Sequence, residues 1–290
     1  MLQMVRKTIL AACALTIFCS CNTHDFKGLI FPTGAGVEKR FEQSQEITSG
    51  KPVATVTATE EYEFYVCTDP HISNTDKNLR HFNDDLRNND GASFGIILGD
   101  CIGVRDNLHA YLNAIAYSSD RHKYDYRIFH LLGNHDIHFN GWEDFKKLVG
   151  PSAYWFEVDF TSGKDLYISL DSASGTLGGK QTKWLKNLLE ERRHYYRHCI
   201  ILTHTCLLYT DNTQGISGNL TIEETLGLMN IFSKNKITLV LQGHDHFRDD
   251  VTQDGVRYTV IGAIKDGMER PEYLKVRASS ENMEYNWVIL

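Results

Sequence analysis

The stretch "HLLGNHDIHF", residues 130–139, decides the fold of this 290-residue chain. Its apolar beginning predicts a buried strand, and the glycine at position 133 is a typical strand terminator. An amide, an imidazole and a carboxylate follow on consecutive positions, at Asn134, His135 and Asp136. A simple turn does not require three different functional groups in a row. The sequence therefore predicts a functional site at the end of this strand.

Four other segments combine an apolar run with polar residues at its end. They are "YEFYVCTD", "FGIILGD", "HCIILTH" and "ITLVLQGH". The polar residues at or just after these ends are Asp69, His71, Asp100, His204, His244 and His246. In an α/β layer, ligands collect at the carboxyl ends of the strands. We therefore expect five loops from five strands to meet at one point.

Helical patterns lie between these strands, as expected for an α/β protein. Apolar residues at helical spacing mark three helices, at Leu79, Phe82 and Leu86, at Leu108, Leu112 and Ile115, and at Trp184, Leu185, Leu188 and Leu189. Thr221 and Glu224 have the spacing of a capping box that opens a fourth helix. Upstream, "VEKRFEQSQEI" predicts a short helix and "PVATVTAT" an edge strand. Three late strands, "GVRYTVIGAI", "EYLKVRA" and "EYNWVIL", are predicted near the carboxyl terminus.

Composition limits the classes of function. The chain is 42% apolar, which is ample for one large packed domain. The net charge is −7 and no dense basic cluster occurs, so the sequence shows no nucleic-acid footprint. Four of the seven cysteines lie in or beside apolar runs, where cysteine is usually a small buried hydrophobe, although an exported setting would permit a disulfide. These four are Cys67, Cys101, Cys199 and Cys206.

The amino terminus has the features of a secretion signal. Arg6 and Lys7 precede an apolar run that is too short to span a bilayer. The pair Ser20-Cys21 is similar to the cleavage point of a bacterial lipoprotein signal, and ordinary secretion is the alternative. We therefore predict a signal peptide at 1–20, a lipid-anchored tether and lead-in at 21–58, and one domain at 59–290. The predicted location is the bacterial envelope, on the periplasmic side or in the outer membrane, with the membrane contacted through a lipid on Cys21.

The five polar strand ends read, in order, D-x-H, G-D, G-N-H-D, H and G-H-x-H. This series resembles the calcineurin-like metallophosphoesterase family over residues 60 to about 265. The resemblance implies a four-layer α/β/β/α sandwich of two mixed β-sheets flanked by helices, and a site with two metal ions. One ion would be held by Asp69, His71, Asp100 and His246, and the other by Asp100, Asn134, His204 and His244. His135 would contact the substrate phosphate, and Asp136 would steady His135.

The chemistry of these residues agrees with a two-metal site. A carboxylate has two oxygens, so Asp100 can bridge two ions. Mixed histidine, aspartate and asparagine ligation suits Mn, Fe or Zn better than Ca, as divalent or mixed-valence ions. Because Asn134 is neutral, the centre keeps a net positive charge with which an acidic protein can hold phosphate. The predicted reaction is hydrolysis of a small phosphate mono- or diester by a metal-bridging hydroxide, with His135 as the acid.

Some alternatives stay open. Purple acid phosphatases, a branch of the family, carry a tyrosine three residues after the motif's aspartate, where this chain has Gly103, so a tyrosinate-bound ferric ion is not expected. The alternative function is a non-catalytic binding or scaffold lipoprotein, although such relatives typically lose motif residues and this chain keeps them all. The spacing of the motifs leaves no room for a capping domain. His138, Arg105, Asn107 and the loop 205–219 are candidates to line an open site, and the substrate, metal pair and oligomeric state are left open.

The lipid anchor gives a direct prediction. The mature protein should begin at Cys21 and partition with membranes, because several acyl chains on one residue give stable anchoring. Cys21→Ala should accumulate as precursor or be released as soluble protein, as measured by fractionation and mass spectrometry of the amino terminus. A soluble, unmodified wild type that begins at another residue would contradict the anchor.

Overall fold

The computed structural model describes residues 34–88, 92–103, 107–116, 127–210, 216 and 219–290. The predicted signal peptide, Cys21 and Arg105 lie outside the described residues, as does most of the segment 211–218. Ala35–Leu290 forms one compact unit. Among the helices that the structure describes, none has the length and apolar character needed to cross a bilayer.

The described chain contains twelve strands and six α-helices. The helices are α1 Val37–Thr48, α2 Lys77–Asn88, α3 Leu108–Ala116, α4 Trp142–Leu148, α5 Gly178–Arg192 and α6 Ile222–Lys234. The strands are β1 Thr55–Thr57, β2 Tyr62–Cys67, β3 Ala92–Ile97, β4 Arg127–His130, β5 Tyr154–Phe160, β6 Gly163–Leu170, β7 Cys199–Thr203, β8 Leu239–Gln242, β9 Asp249–Gln253, β10 Val256–Val260, β11 Glu272–Ala278 and β12 Met283–Ile289. Short 3₁₀ helices span His135–Asn140 and Arg193–Tyr195.

The strands form two mixed sheets. The seven-stranded sheet has the order β1-β5-β6-β7-β8-β10-β9, and the five-stranded sheet has the order β12-β11-β2-β3-β4. Parallel pairs such as β2–β3 and β7–β8 occur beside antiparallel pairs such as β5–β6 and β11–β12. Strand β1 lies at an edge, as "PVATVTAT" predicted.

The core is arranged in layers that follow from the alternation of side chains along each strand. In β2, Phe64 and Val66 pack between the two sheets, whereas Tyr65 and Cys67 face α2 and α3. On the far side of the seven-stranded sheet, apolar residues of α5 and α6 pack against β6, β7 and β8. Each sheet is therefore covered by helices on its outer face and by the other sheet on its inner face. The predicted four-layer sandwich is confirmed.

The predicted helices all occur, but the capping box is only half formed. Thr221 accepts a hydrogen bond from the Glu224 amide at 3.3 Å, as expected for the amino terminus of α6. The Glu224 carboxylate does not return to Thr221. It accepts instead from the Leu177 amide at 2.7 Å and the Thr176 hydroxyl at 3.1 Å, where α5 begins. Glu224 therefore serves the neighbouring helix, because the two helix starts lie side by side.

The sequence analysis did not identify β5, β6 or β9. The signal for β5 was present, since Phe156, Val158 and Phe160 alternate with Glu157 and Asp159. The four cysteines are buried, as predicted, and all four are free thiols, where the sequence left a disulfide open. Residues 35–58, which the sequence assigns to the tether and lead-in, pack on the sandwich, with the ring of Phe41 on α1 5.7 Å from that of Trp184 on α5.

Candidate metal centre

The candidate site lies where strands of both sheets end. The five-stranded sheet contributes the ends of β2, β3 and β4, and the seven-stranded sheet those of β7 and β8. The loops after β2 and β3 continue to pair beyond the strands, since the His71 amide donates to the Asp100 carbonyl at 3.0 Å. His204, which follows β7, reaches the other sheet, where its Nδ1 lies 2.8 Å from the Leu98 carbonyl oxygen. The site therefore ties the two sheets together.

Two groups of side chains that share no residue could each hold a metal ion here. The first contains Asp69, His71 and His246. His246 Nε2 and His71 Nε2 lie 3.3 and 3.5 Å from Asp69 Oδ1, and the two ring nitrogens are 3.1 Å apart. Potential ligand atoms thus converge on one point beside Asp69.

The second group contains Asp100, His204 and His244. His204 Nε2 lies 3.4 Å from Asp100 Oδ1 and 3.3 Å from His244 Nδ1. The amide oxygen of Asn134 is 3.0 Å from the same His204 nitrogen, so this side chain joins the group. The four residues are the set that the sequence assigned to one ion.

Asp100 lies between the two groups. Its Oδ2 is 3.6 Å from His71 Nε2 in the first group, and its Oδ1 is 3.4 Å from His204 Nε2 in the second. The carboxylate is buried, with one oxygen directed to each side. This is the arrangement needed for a bridging ligand between two ions.

The donor set fits cations on physical grounds. The Leu98 carbonyl can only accept, so His204 Nδ1 is the donor and the Nε2 of the neutral ring presents a lone pair toward Asn134 Oδ1. Asp69 Oδ2 accepts from the Thr68 hydroxyl and the His244 amide, whereas Oδ1 is buried and accepts no hydrogen bond from any residue that the structure describes. Electron-rich atoms that face one another in a buried site repel unless a positive charge lies between them.

In the absence of metal, protons supply part of that positive charge. Burial lowers the pKa of His204, but the charge of Asp100 outweighs it and raises the pKa to about 10. Burial raises the pKa of Asp69, but contacts with His246 and His71 hold that pKa well below its usual value. The pKa of Asp100 is also lowered, since the charge of His204 overcomes the effect of burial. Metal binding at these residues would therefore release protons.

The backbone is strained at these ligand positions. Five of the seven candidate ligands have a positive φ, a conformation that residues other than glycine rarely adopt. They are Asp69 at 52°, His71 at 43°, Asp100 at 49°, His244 at 72° and His246 at 59°. Such strain gathers at functional sites, where the surrounding structure enforces it. No residue pattern in the sequence indicated it.

Two glycines allow the loops to approach closely. A Cβ added at Gly133 would overlap both the carboxylate oxygen and the amide nitrogen of Asp100. At Gly243 it would overlap the Thr68 hydroxyl and come within 3.0 Å of Asp69 Oδ2. The glycines of the G-N-H-D and G-H-x-H motifs therefore have a steric role, because any side chain would displace a candidate ligand.

Asp136 does not have the contact that the sequence analysis assigned to it. Its carboxylate accepts from the amides of Gly133 at 2.8 Å and Ile102 at 3.3 Å, and so joins the loops after β4 and β3. The His135 Nδ1 atom is buried without a hydrogen-bond partner among the described residues. Burial and the charge of Asp100 raise the pKa of Asp136 to about 8. Asp136 thus holds the loops that carry Asp100 and His135 and does not orient the imidazole directly.

His135 lies at the open side of the centre. Its Nε2 is 3.9 Å from Asp100 Oδ2, and its side chain is 37% exposed. His71, Asp100 and His135 form a third group that could hold a metal, so the geometry also permits His135 as a ligand. His138 is exposed, with its ring 5.0 Å from that of His135. Asn107 donates to the carbonyls of Ile72 and Ser73 at 3.0 Å and so supports the loop after β2.

Sequence reasoning missed several residues around the centre. Thr68 fixes one Asp69 oxygen, the Leu98 carbonyl fixes the His204 ring, and neither position belongs to a motif. Phe247 follows His246 directly and is 41% exposed, with its ring 5.3 Å from that of Tyr209. An aromatic residue beside a predicted ligand in "GHDHF" was the available signal for this aromatic pair.

Comparison with known proteins identifies the class. The family described as calcineurin-like phosphoesterase matches residues 62–248, which is more than half of the chain. The chain belongs to this family. Together with the histidine and aspartate groups, family membership points to a dinuclear metal site. A comparison with curated proteins gave no match.

Solved structures share the fold at low sequence identity. One is GAP50, the anchor in the inner membrane complex of Plasmodium, with a TM-score of 0.60 and 12% identity over 79% of this chain and 84% of that one. A dimetal phosphatase from Danio rerio has a TM-score of 0.55 and 12% identity over 77% of this chain and 98% of the other. Purple acid phosphatase PPD1 from yellow lupin has a TM-score of 0.57 and 13% identity over 80% of this chain and 52% of the lupin chain. At these identities the likeness shows the fold alone.

The close approach at Gly133 gives a prediction. Gly133→Ala should lose bound metal and melt at a lower temperature, because the new methyl group displaces Asp100. Gly227→Ala is the matched control, since it lies in α6 with no atom near its added Cβ and alanine favours a helix. Metal analysis and thermal melts of both variants test this. A Gly133→Ala protein with wild-type metal content would show that the contact is not needed.

Proposed function

We propose that this protein is an exported, lipid-anchored phosphoesterase that hydrolyses a small phosphate mono- or diester at a two-metal centre. The observation that supports it most directly is the Asp100 carboxylate, which directs one oxygen to each of two groups of candidate ligands. Membership of the calcineurin-like phosphoesterase family supports the reaction class. Export and the anchor on Cys21 rest on the amino-terminal sequence.

The ligand sets follow the two groups. Asp69, His71 and His246 would hold one ion, and Asn134, His204 and His244 the other, with one Asp100 oxygen for each. Bound divalent ions would supply positive charge for the phosphate and a nucleophilic hydroxide at neutral pH. Imidazole-rich ligation with carboxylates and an amide favours Mn, Fe or Zn.

His135 would contact the substrate, and Asp136 would hold the loops around it. His135 lies where a phosphate ester could enter, and its imidazole could donate a hydrogen bond to a phosphate oxygen or a proton to the leaving oxygen. Its amide donates to Asp100 Oδ1 at 2.8 Å, which fixes its backbone relative to the bridge. Asp136 contributes by holding the Gly133 and Ile102 amides.

A scaffold role is the second candidate. It is favoured by one observation, since a protein described as an anchor shares the fold with a TM-score of 0.60. Against it, every candidate ligand is present here and the ligand atoms converge. A scaffold has no need to maintain five strained backbone positions around a set of buried carboxylates.

Metal dependence tests the function. Chelator should abolish hydrolysis of an aryl phosphate ester, and Mn, Zn or Fe should restore it, while Mg should serve poorly with histidine-rich ligation. Metal that binds only the folded state should also raise the melting temperature. Aryl monoesters, diesters, nucleotides and cyclic nucleotides should be compared with each metal. Full turnover by metal-free protein would refute the mechanism, and metal binding without turnover on any ester would favour the scaffold.

A second prediction separates the acid from the ligands. His135→Ala should keep both metals and lower kcat by about 10²–10⁴, the scale for loss of a general acid. The loss should be smaller for esters with good leaving groups, which need little protonation.

Matched ligand variants complete this test. Asn134→Ala and His246→Ala should each lose metal, from different ions, and Asp100→Ala should affect both ions because it lies between the groups. Metal analysis of the four purified variants measures this. If His135→Ala lost a full equivalent of metal while Asn134→Ala kept both metal ions, the roles of these two neighbouring residues would be reversed.

A further inference from the structure

We propose that Arg40, on helix α1, is a positioning residue for His204, one of the candidate metal ligands. The inference rests on the proposed function, since it assigns to Arg40 a role in holding metal at that centre. Three links through buried residues join Arg40 to the backbone on both sides of His204. Hydrogen bonds form the first and the third, and the peptide bond between Asp171 and Ser172 forms the second.

The first link is the ion pair between Arg40 and Asp171. Arg40 Nε and Nη2 donate to the two carboxylate oxygens of Asp171 at 2.8 and 2.9 Å, which is a two-point contact with a fixed geometry. Nη1 donates to the Ala35 carbonyl at 2.7 Å and Nη2 also to the Ser174 hydroxyl at 3.0 Å. Arg40 is 1% exposed and Asp171 is fully buried, so water cannot replace this contact.

The second link fixes Asp171 at the end of β6. The Ser152 hydroxyl donates to Asp171 Oδ2 at 2.7 Å. The side chain of Gln181 holds the Asp171 backbone, accepting from its amide at 2.8 Å and donating to its carbonyl at 3.0 Å. Helix α1, the segment just before β5 and helix α5 therefore converge on this one residue and determine where Ser172, the next residue, lies.

The third link reaches the metal ligand. The Ser172 hydroxyl accepts from the Thr203 hydroxyl at 2.8 Å and from the Thr205 amide at 3.1 Å. These residues flank His204, whose ring is held on the other side by the Leu98 carbonyl. Ser172 and His204 are fully buried, and Thr203 and Thr205 nearly so. A displacement of Asp171 would therefore shift the backbone that carries His204.

One of the two candidate ligand groups contains the ligand at the end of this path. His204 belongs with Asp100 and His244, whereas Asp69, His71 and His246 lie on other loops. Loss of the Arg40 contact should therefore lower the affinity mainly for the ion that His204 would hold. A residue that only stabilised the fold would not distinguish the two ions.

The test measures the affinity of each ion with Zn²⁺ alone, by competition with a chelator of graded strength. Arg40→Lys retains the charge but loses the two-point fork. It should lower the affinity for one of the two Zn²⁺ ions by at most about 10–100-fold, the effect of losing a group bonded directly to a metal ligand, because Arg40 acts on His204 through other residues. Ser172→Ala removes only the last link and should lower the affinity for the same ion. His204→Ala identifies that ion, because this variant should no longer bind it.

Phe41→Ala is the matched control on the same helix. Phe41 packs against Trp184, and its side chain has no polar atom that could join the hydrogen bonds around Asp171. This variant should therefore melt at a lower temperature yet bind both ions as the wild type does. Unchanged Zn²⁺ affinities in Arg40→Lys and Ser172→Ala would overturn the proposal, as would equal weakening of both ions or a Phe41→Ala protein with the same selective loss. These results are independent of turnover, so a wild type that binds two ions but hydrolyses no ester would refute the proposed function and leave the positioning role intact.

Discussion

The position of the Asp100 carboxylate constrains the rest of the structure. Its oxygens lie 3.6 and 3.4 Å from histidines that follow strands of different sheets, β2 and β7. The two sheets must therefore pack with these strand ends together, and the loops must approach without side chains at Gly133 and Gly243. The layered core between the sheets fixes this relative position.

Such a centre opposes folding in the absence of metal. Five ligand positions in left-handed backbone each cost about 1–2 kcal/mol, and the buried acceptors repel one another. The three apolar clusters of the sandwich offset this cost. Cations that bind only the folded chain would recover part of it, so the site and the fold are thermodynamically linked.

Local patterns in the sequence predicted most of the strands and helices, and the family resemblance implied the four layers and the candidate ligands. Apolar runs, helical spacing and polar strand ends are patterns that extend over a few residues. The strands β2, β3, β7 and β8 occur where these patterns predict them. Contacts between distant residues could not be read in this way. Arg40 and Asp171 are 131 positions apart, Glu224 serves a different helix from the one it opens, and the Asp136 carboxylate faces two amides. Each depends on the packing of elements that the sequence places far apart.

The burial of the cysteines has a consequence for oxidation. Cys67, Cys101, Cys199 and Cys206 are fully buried, and burial raises the pKa of each thiol, that of Cys199 to about 12. The thiolate is the form that reacts with oxidants and alkylating reagents, so these four cysteines offer almost none of it in the folded protein. In an oxidising compartment these sulfurs would react only when the sandwich opens. The rate at which these four thiols are labelled under native conditions therefore reports how often the sandwich opens.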